Sequence, residues 1–264
     1  MKSRLRFSVV ALLSVLCLPA LAGEAPASKS AAPAKGPPAA WPKGTYAALD
    51  KLPDWGGVWV LSRGRPAPGA AAPEQPRLKG DYLARYQTWQ KDVRDNNGVV
   101  RKDVSNCMPP GMPNMMGTGQ YPMEFLFTPG RVTTLHEAWM QTRSIFTDGR
   151  GHPEDLELGV FGHSIGHWEG ATLVVDTIGI KPITELGAGM KHSDKLHVTE
   201  RIHLAADDAE SLVVEMTMED AEALEAPYHR TLTFKRQRDW NLMEFVCAEN
   251  DRNPVDASGH TQFK

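Results

Sequence analysis

Along most of the chain, apolar and polar residues alternate in short runs, and each run stops at a turn residue. "DWGGVWVL" (54–61) is the first. "EFLFT" (124–128) and "RVTTLHEA" (131–138) flank Pro129-Gly130, and "MQTRSIFT" (140–147) ends at Asp148-Gly149. "HSIGHW" (163–168) and "ATLVVDTIGI" (171–180) flank Glu169-Gly170. "KLHVTERIHL", "SLVVEMTME", "YHRTLTFKR" and "NLMEFVCAE" complete the series. β-branched runs of this length, with turn signals every eight to twelve positions or so, predict an antiparallel barrel or sandwich. Strands do not alternate with helices, which argues against a parallel α/β sheet. One segment has a different period. In "LKGDYLARYQTWQKDV", Leu78, Tyr82, Tyr86, Trp89 and Val93 fall on one stripe, which predicts a helix over about 78–94.

The strand parity also singles out charges. Residues 196–204 place Leu196, Val198, Glu200, Ile202 and Leu204 on one face, and 228–234 place Tyr228, Arg230, Leu232 and Phe234 together. Glu200 and Arg230 therefore share the apolar side of their strands. A buried carboxylate or guanidinium needs a partner, because an unpaired buried charge is costly. Two arrangements satisfy that need. Glu200 and Arg230 pair with each other, or Arg230 snorkels at a rim. Alternatively both face an internal cavity with Tyr228 and present polar groups to a ligand. Apolar surroundings would raise the pKa of Glu200 unless Arg230 offsets the effect.

The ends of the chain define its organisation. Lys2, Arg4 and Arg6 precede the apolar "FSVVALLSVLCLPA", and Ala20-Leu21-Ala22 gives an A-x-A site, so residues 1–22 read as an export signal. Leu16 before Cys17 does not fit a lipoprotein signal. Residues 23–50 begin with "GEAPASKSAAPAKGPPAAWPKG", which reads as an Ala/Pro-rich disordered leader, and a barrel domain with its helical insertion follows over 51–255. "RGRPAPGAAAPEQP" (63–76) is a second linker. Loss of the signal takes the formal charge from −3 to −6, which does not suggest a nucleic-acid partner. No later apolar run is long enough for a membrane helix. The exported chain should be periplasmic or secreted. Cys107 and Cys247 remain after the signal is removed, and in an oxidising compartment they most simply form one disulfide.

Several motifs bear on chemistry. "GHSIG" (162–166) fits the G-x-S-x-G of a nucleophile elbow, which needs a strand before the serine and a helix after it. Here "IGHWEGATLVVDT" follows Ser164, a strand–turn–strand pattern, so Ser164 reads as an ordinary strand residue. His163 and His167 would stand about 13 Å apart on a strand, too far to chelate. Polar residues gather in the connecting blocks: Asp148, Arg150 and His152 in "TDGRGHP", His163 after the next loop, His192 and Ser193 in "KHSD". If these loops share one barrel mouth, the histidines with Asp148 and Glu200 could form a general acid–base site, and Arg150 or Arg230 could steady an anion. The same residues could bind zinc, but no spacing is diagnostic, and no metal site is assigned. Met108, Met112, Met115 and Met116 in "CMPPGMPNMM" lie at irregular intervals. They suit gap-filling better than copper chelation, in a segment that covers one barrel end.

Blocks from "PDWGGVW" (53–59) to "EFVCAEN" (244–250) resemble a widespread family of exported bacterial proteins. The most specific are "FTPGRVTTLHE", "TDGRGHPED", "GHSIGHWEGATLVVDTIG", "HSDKLHVTERI" and "LTFKR". The chain departs from the usual pattern at His167 and Ala171, and the resemblance implies export but no mechanism. "GGVW" (56–59) resembles the G-x-W that opens the first lipocalin strand, which implies an all-β, lipocalin-like up-and-down barrel with one helix insertion. Such barrels enclose a small ligand or are filled by side chains. Three functions are consistent with this. The first is a binding protein for a small apolar or aromatic molecule, with Glu200 and Arg230 orienting it. The second is a cofactor-independent lyase, isomerase or hydrolase with His163 or His192 as base and Asp148 orienting it. The third is an envelope scaffold without ligand.

Overall fold

A computed structural model describes residues 43–62, 74–100, 107–117 and 121–247. The expected signal, the leader up to residue 42 and most of the second linker (63–73) lie outside the described residues. Among the described residues, nine strands form one closed barrel. They are β1 (Val58–Leu61), β2 (Met123–Thr128), β3 (Arg131–His136), β4 (Gln141–Phe146), β5 (His163–Glu169), β6 (Thr172–Ile178), β7 (His197–Ala205), β8 (Asp208–Glu219) and β9 (Tyr228–Gln237). Helix α1 (Gly80–Asp95) is inserted between β1 and β2. The all-β barrel with one helical insertion is thus the fold.

Its topology departs from a pure up-and-down meander at one place. An odd number of strands cannot close with every neighbour antiparallel. The parallel pair falls between β4 and β5, where Ile145 faces Ser164 and Phe146 faces Ile165. A parallel pair needs a crossover rather than a hairpin, and residues 147–162 supply it. This lets β1 and β9 close the barrel antiparallel, Val58 opposite Gln237 and Leu61 opposite Phe234. The reading of "NLMEFVCAE" as a strand is corrected: residues 241–246 are irregular and pair with no strand of the barrel. Phe245 packs instead on Tyr121 and Trp139, and the tail is tied down by the Cys107–Cys247 disulfide, Cα–Cα 5.4 Å. The end of the expected leader is ordered too. Tyr46–Lys51 forms a 3-10 turn, and the Lys43 amide donates to Asp148 Oδ2.

Alternation places one side chain in two inside the barrel. Val175, Val198, Ile202, Val214, Met216 and Phe234 are among the buried residues that fill it. Met112, Met115 and Met116 are buried, and Met112 and Met116 join this core, as expected of flexible thioethers packing an irregular gap. Helix α1 begins two residues later than the pattern suggested, because Leu78 leaves it to bridge Leu224. The stripe of Tyr82, Tyr86, Trp89 and Val93 is half-buried, and the residues between are largely exposed. Trp89 lies over Gly189, where a Cβ would come within 2.3 Å of the indole and φ is +76°. Only glycine fits there.

Candidate functional site

Inside the barrel, polar side chains from four successive strands interlock. Arg143 on β4 donates from Nε to Ser164 Oγ (3.0 Å), from Nη1 to Glu200 Oε1 (3.1 Å), and from Nη2 to Thr177 Oγ1 (2.7 Å) and to Glu200 Oε2. Ser164 and Thr177 hydroxyls also meet at 3.0 Å. Arg143 and Glu200 are 2 % and 0 % exposed, so the pair is dry as well as bidentate. The expected partner of Glu200 is corrected: it is Arg143, not Arg230. Thr134, the cross-strand neighbour of Arg143, lies 3.1 Å from the ring of His136. Burial, and then the nearby guanidinium, lower the pKa of His136 to about 3. The imidazole is therefore neutral. The two charges of this ion pair match each other, while the buried Trp55 Nε1 has no hydrogen-bond partner among the described residues. Ser164 accepts from Arg143 and meets Thr177, with no imidazole among its hydrogen-bond partners in the described residues, which fits a plain strand residue.

The outer wall carries a different cluster. Asp176 on β6 points outward, away from its neighbour Thr177, and joins two histidines: His152 Nε2 to Oδ1 at 3.1 Å and His197 Nε2 to Oδ2 at 3.0 Å. His152 Nδ1 then meets His163 Nδ1 at 2.8 Å. A carboxylate only accepts, so His152 donates from Nε2, and with that ring neutral its Nδ1 accepts from His163 Nδ1–H. The Nε2 lone pair of His163 is the open end of this chain. Burial, His152 and Arg150 lower the pKa of His163. Its ring stacks on Phe146, which Arg150 also covers at 4.2 Å. Asp148 is bound by Arg150 Nε (2.9 Å) and Nη2 (2.7 Å), and these bonds above all hold its pKa below the ordinary carboxylate range. Asp148 therefore fastens the turn and the Lys43 segment; it does not orient His163.

The expected convergence on one barrel mouth is corrected in two respects. Glu200 lies on the inner face and the His152–His163 pair on the outer, with the barrel wall between. His192 belongs to another cluster. It is 1 % exposed, donates from Nδ1 to the Ser193 carbonyl (2.7 Å) and meets Thr184 Oγ1 through Nε2 (2.7 Å). Burial lowers its pKa. Thr184 Oγ1 also lies 2.9 Å from the Met112 carbonyl oxygen, and Ser193 is held by Asp220 through its amide (2.7 Å) and hydroxyl (2.8 Å). His192 thus pins the methionine segment to the loop before β7. Among the described residues, no group of three or more His, Cys, Asp or Glu is arranged to hold a metal ion.

A cleft of about 590 Å³ opens where Glu74–Pro76, the 186–190 loop and the start of β9 meet. Leu186, Met190 and Tyr228 supply apolar wall, and Asn114, Glu74 and Arg230 supply polar groups. The residues singled out as ligand-binding are thus separated. Tyr228 and Arg230 share the cleft, Glu200 is enclosed within the barrel, and Arg150 is bound to Asp148. A smaller cavity of about 180 Å³ lies under the Tyr46–Lys51 turn, near Leu49, Leu52 and Trp168. No protein-family model and no curated protein matches the chain. Of the titratable residues in these networks, Arg143, His136, Asp176, His197 and Asp220 escaped the sequence. Parity alone carried a weak signal for Arg143, which alternates with Ile145.

Proposed function

We propose that this chain is an exported barrel protein that binds a small apolar or aromatic molecule in the cleft beside Tyr228 and Arg230, outside the barrel interior. One observation carries this. The volume of about 590 Å³ falls within the few hundred to a thousand Å³ typical of ligand sites. The interior, by contrast, is packed with side chains and a satisfied ion pair. The signal-like residues 1–22 and the disulfide support an oxidising, extracytoplasmic location.

The test is fluorescence titration with N-phenyl-1-naphthylamine, a neutral apolar probe. It should bind the wild type with a stoichiometry near one. Ala188→Trp or Thr231→Trp, each placing an indole on the cleft lining, should weaken binding about tenfold or more. Ile202→Val, within the barrel, should leave it unchanged. Equal binding by all four proteins would remove the cleft as the site.

The Asp176–His152–His163 chain favours a second function, proton transfer by His163 Nε2 without a cofactor. Imidazole oriented by a hydrogen-bonded carboxylate is the usual general base. A hydrolase and isomerase screen with His163→Gln as control would decide it: a turnover that survives that substitution does not come from this cluster.

A further inference from the structure

We propose that the cleft's ligand carries a carboxylate head group and that Arg230 selects it. This rests on the cleft being the binding site, and adds the chemical class of the ligand. Arg230 has the inward parity of β9 but stands nearer the strand's start than Leu232 and Phe234, where the interior gives way to the cleft. Its guanidinium lies against the backbone of Gly117. A Cβ at Gly117 would come within 2.2 Å of Nη2 and 2.8 Å of Cζ, so the missing side chain is what makes the seat. The seat holds the planar group on one side.

No anion completes it. Arg143, Arg150 and Arg236 each have a carboxylate within salt-bridge range, at Glu200, Asp148 and Asp54. Among the described residues, Arg230 has none. Glu74 lines the same cleft but makes no ion pair with it. A second donor stands close by. Burial raises the pKa of the Tyr228 phenol, with Glu74 pushing the same way and Arg230 opposing, so its hydroxyl stays protonated and able to donate. A guanidinium fork beside a phenol hydroxyl matches a carboxylate in charge and in shape. Leu186 and Met190 in the same lining supply apolar contact for a tail. The arrangement describes an amphiphilic organic acid.

Displacement of N-phenyl-1-naphthylamine by decanoate, decanol and decylamine at equal ionic strength tests the head group separately from the cleft. Decanoate should displace the probe at about a tenfold lower concentration than decanol, the increment expected of hydrogen bonds to a charged group. Decylamine should be the poorest. Arg230→Gln should equalise decanoate and decanol. Gly117→Ala keeps the charge but unseats the guanidinium, and should reduce the preference severalfold. Equal displacement by decanoate and decanol in the wild type would overturn the head-group inference while leaving the cleft intact. A decanoate preference unchanged by Arg230→Gln would overturn the role of Arg230. Failure of the probe itself to bind would remove the cleft, and this inference with it.

Discussion

Removing either partner of the Arg143–Glu200 pair should cost the protein a large part of its stability. Arg143→Met leaves the Glu200 carboxylate, 0 % exposed, without the two guanidinium nitrogens that hold it. Glu200→Met leaves the guanidinium charged, with only the Ser164 and Thr177 hydroxyls as partners. A buried charge stripped of its counter-ion costs about 3–5 kcal/mol, against about 5–15 kcal/mol for the whole stability of a typical domain. The double substitution Arg143→Met/Glu200→Met removes both charges and fills the space with apolar atoms. It should be no less stable than either single variant, giving a coupling energy of several kcal/mol. Urea denaturation followed by tryptophan fluorescence reads this directly, since Trp55 and Trp59 are buried in the same core. Single variants that each lose under about 1 kcal/mol, and whose losses add in the double variant, would refute the reasoning. They would mean that water or another group already meets these charges, and the interior would again be open to a ligand.

Stability should also fall with acid, with a sign fixed by His136. Its folded pKa of about 3 lies below the ordinary 6.5, so between those values the unfolded chain binds the extra proton. Its contribution is complete above about pH 6.5, is lost at up to about 1.4 kcal/mol per pH unit on acidification, and levels off near pH 3. His163 and His192 are lowered in the same direction and add to the loss. Urea midpoints from pH 7.5 to 5 check this, and His136→Gln should flatten the slope. Loss of the Cys107–Cys247 disulfide, which spans 140 residues, should cost about 3–5 kcal/mol. Thermal unfolding of Cys107→Ser/Cys247→Ser measures it. Gly189→Ala should push Trp89 off its seat and loosen helix α1, seen as faster hydrogen exchange over residues 80–95 with the barrel amides unchanged. His152→Ala should release the 147–162 crossover from Asp176 and His163 and increase its cleavage in limited proteolysis, leaving the thermal midpoint within a few degrees of the wild type.

Period-two alternation made much of the barrel legible. It placed Glu200, Arg230 and Tyr228 on the inward faces where they lie, because parity survives any error in strand pairing. What parity cannot supply is the neighbour. Arg143 sits in "MQTRSIFT", where polar residues outnumber apolar ones, and its partners lie on three other strands. Pairing Glu200 with Arg230 joined the two charges visible on apolar parity. The register instead puts Met216 between them on the sheet, opposite each. Asp176 and His197 look like ordinary outward residues of "ATLVVDTIGI" and "KLHVTERIHL". Only the β6–β7 pairing, and the crossover that carries His152 back over the wall, bring them together. The "NLMEFVCAE" segment has the local pattern of a strand, but β1 takes the place beside β9, and Phe245 packs on Tyr121 and Trp139 next to the Cys107–Cys247 disulfide.

Hydrogen exchange with and without decanoate locates the binding site most directly. Slower exchange confined to residues 186–190 and 228–231 is the expected result. Protection appearing instead around Arg143, Ser164, Thr177 and Glu200, or around His152 and His163, would contradict a cleft-binding barrel. So would decanoate that binds without slowing any amide beside Tyr228 and Arg230.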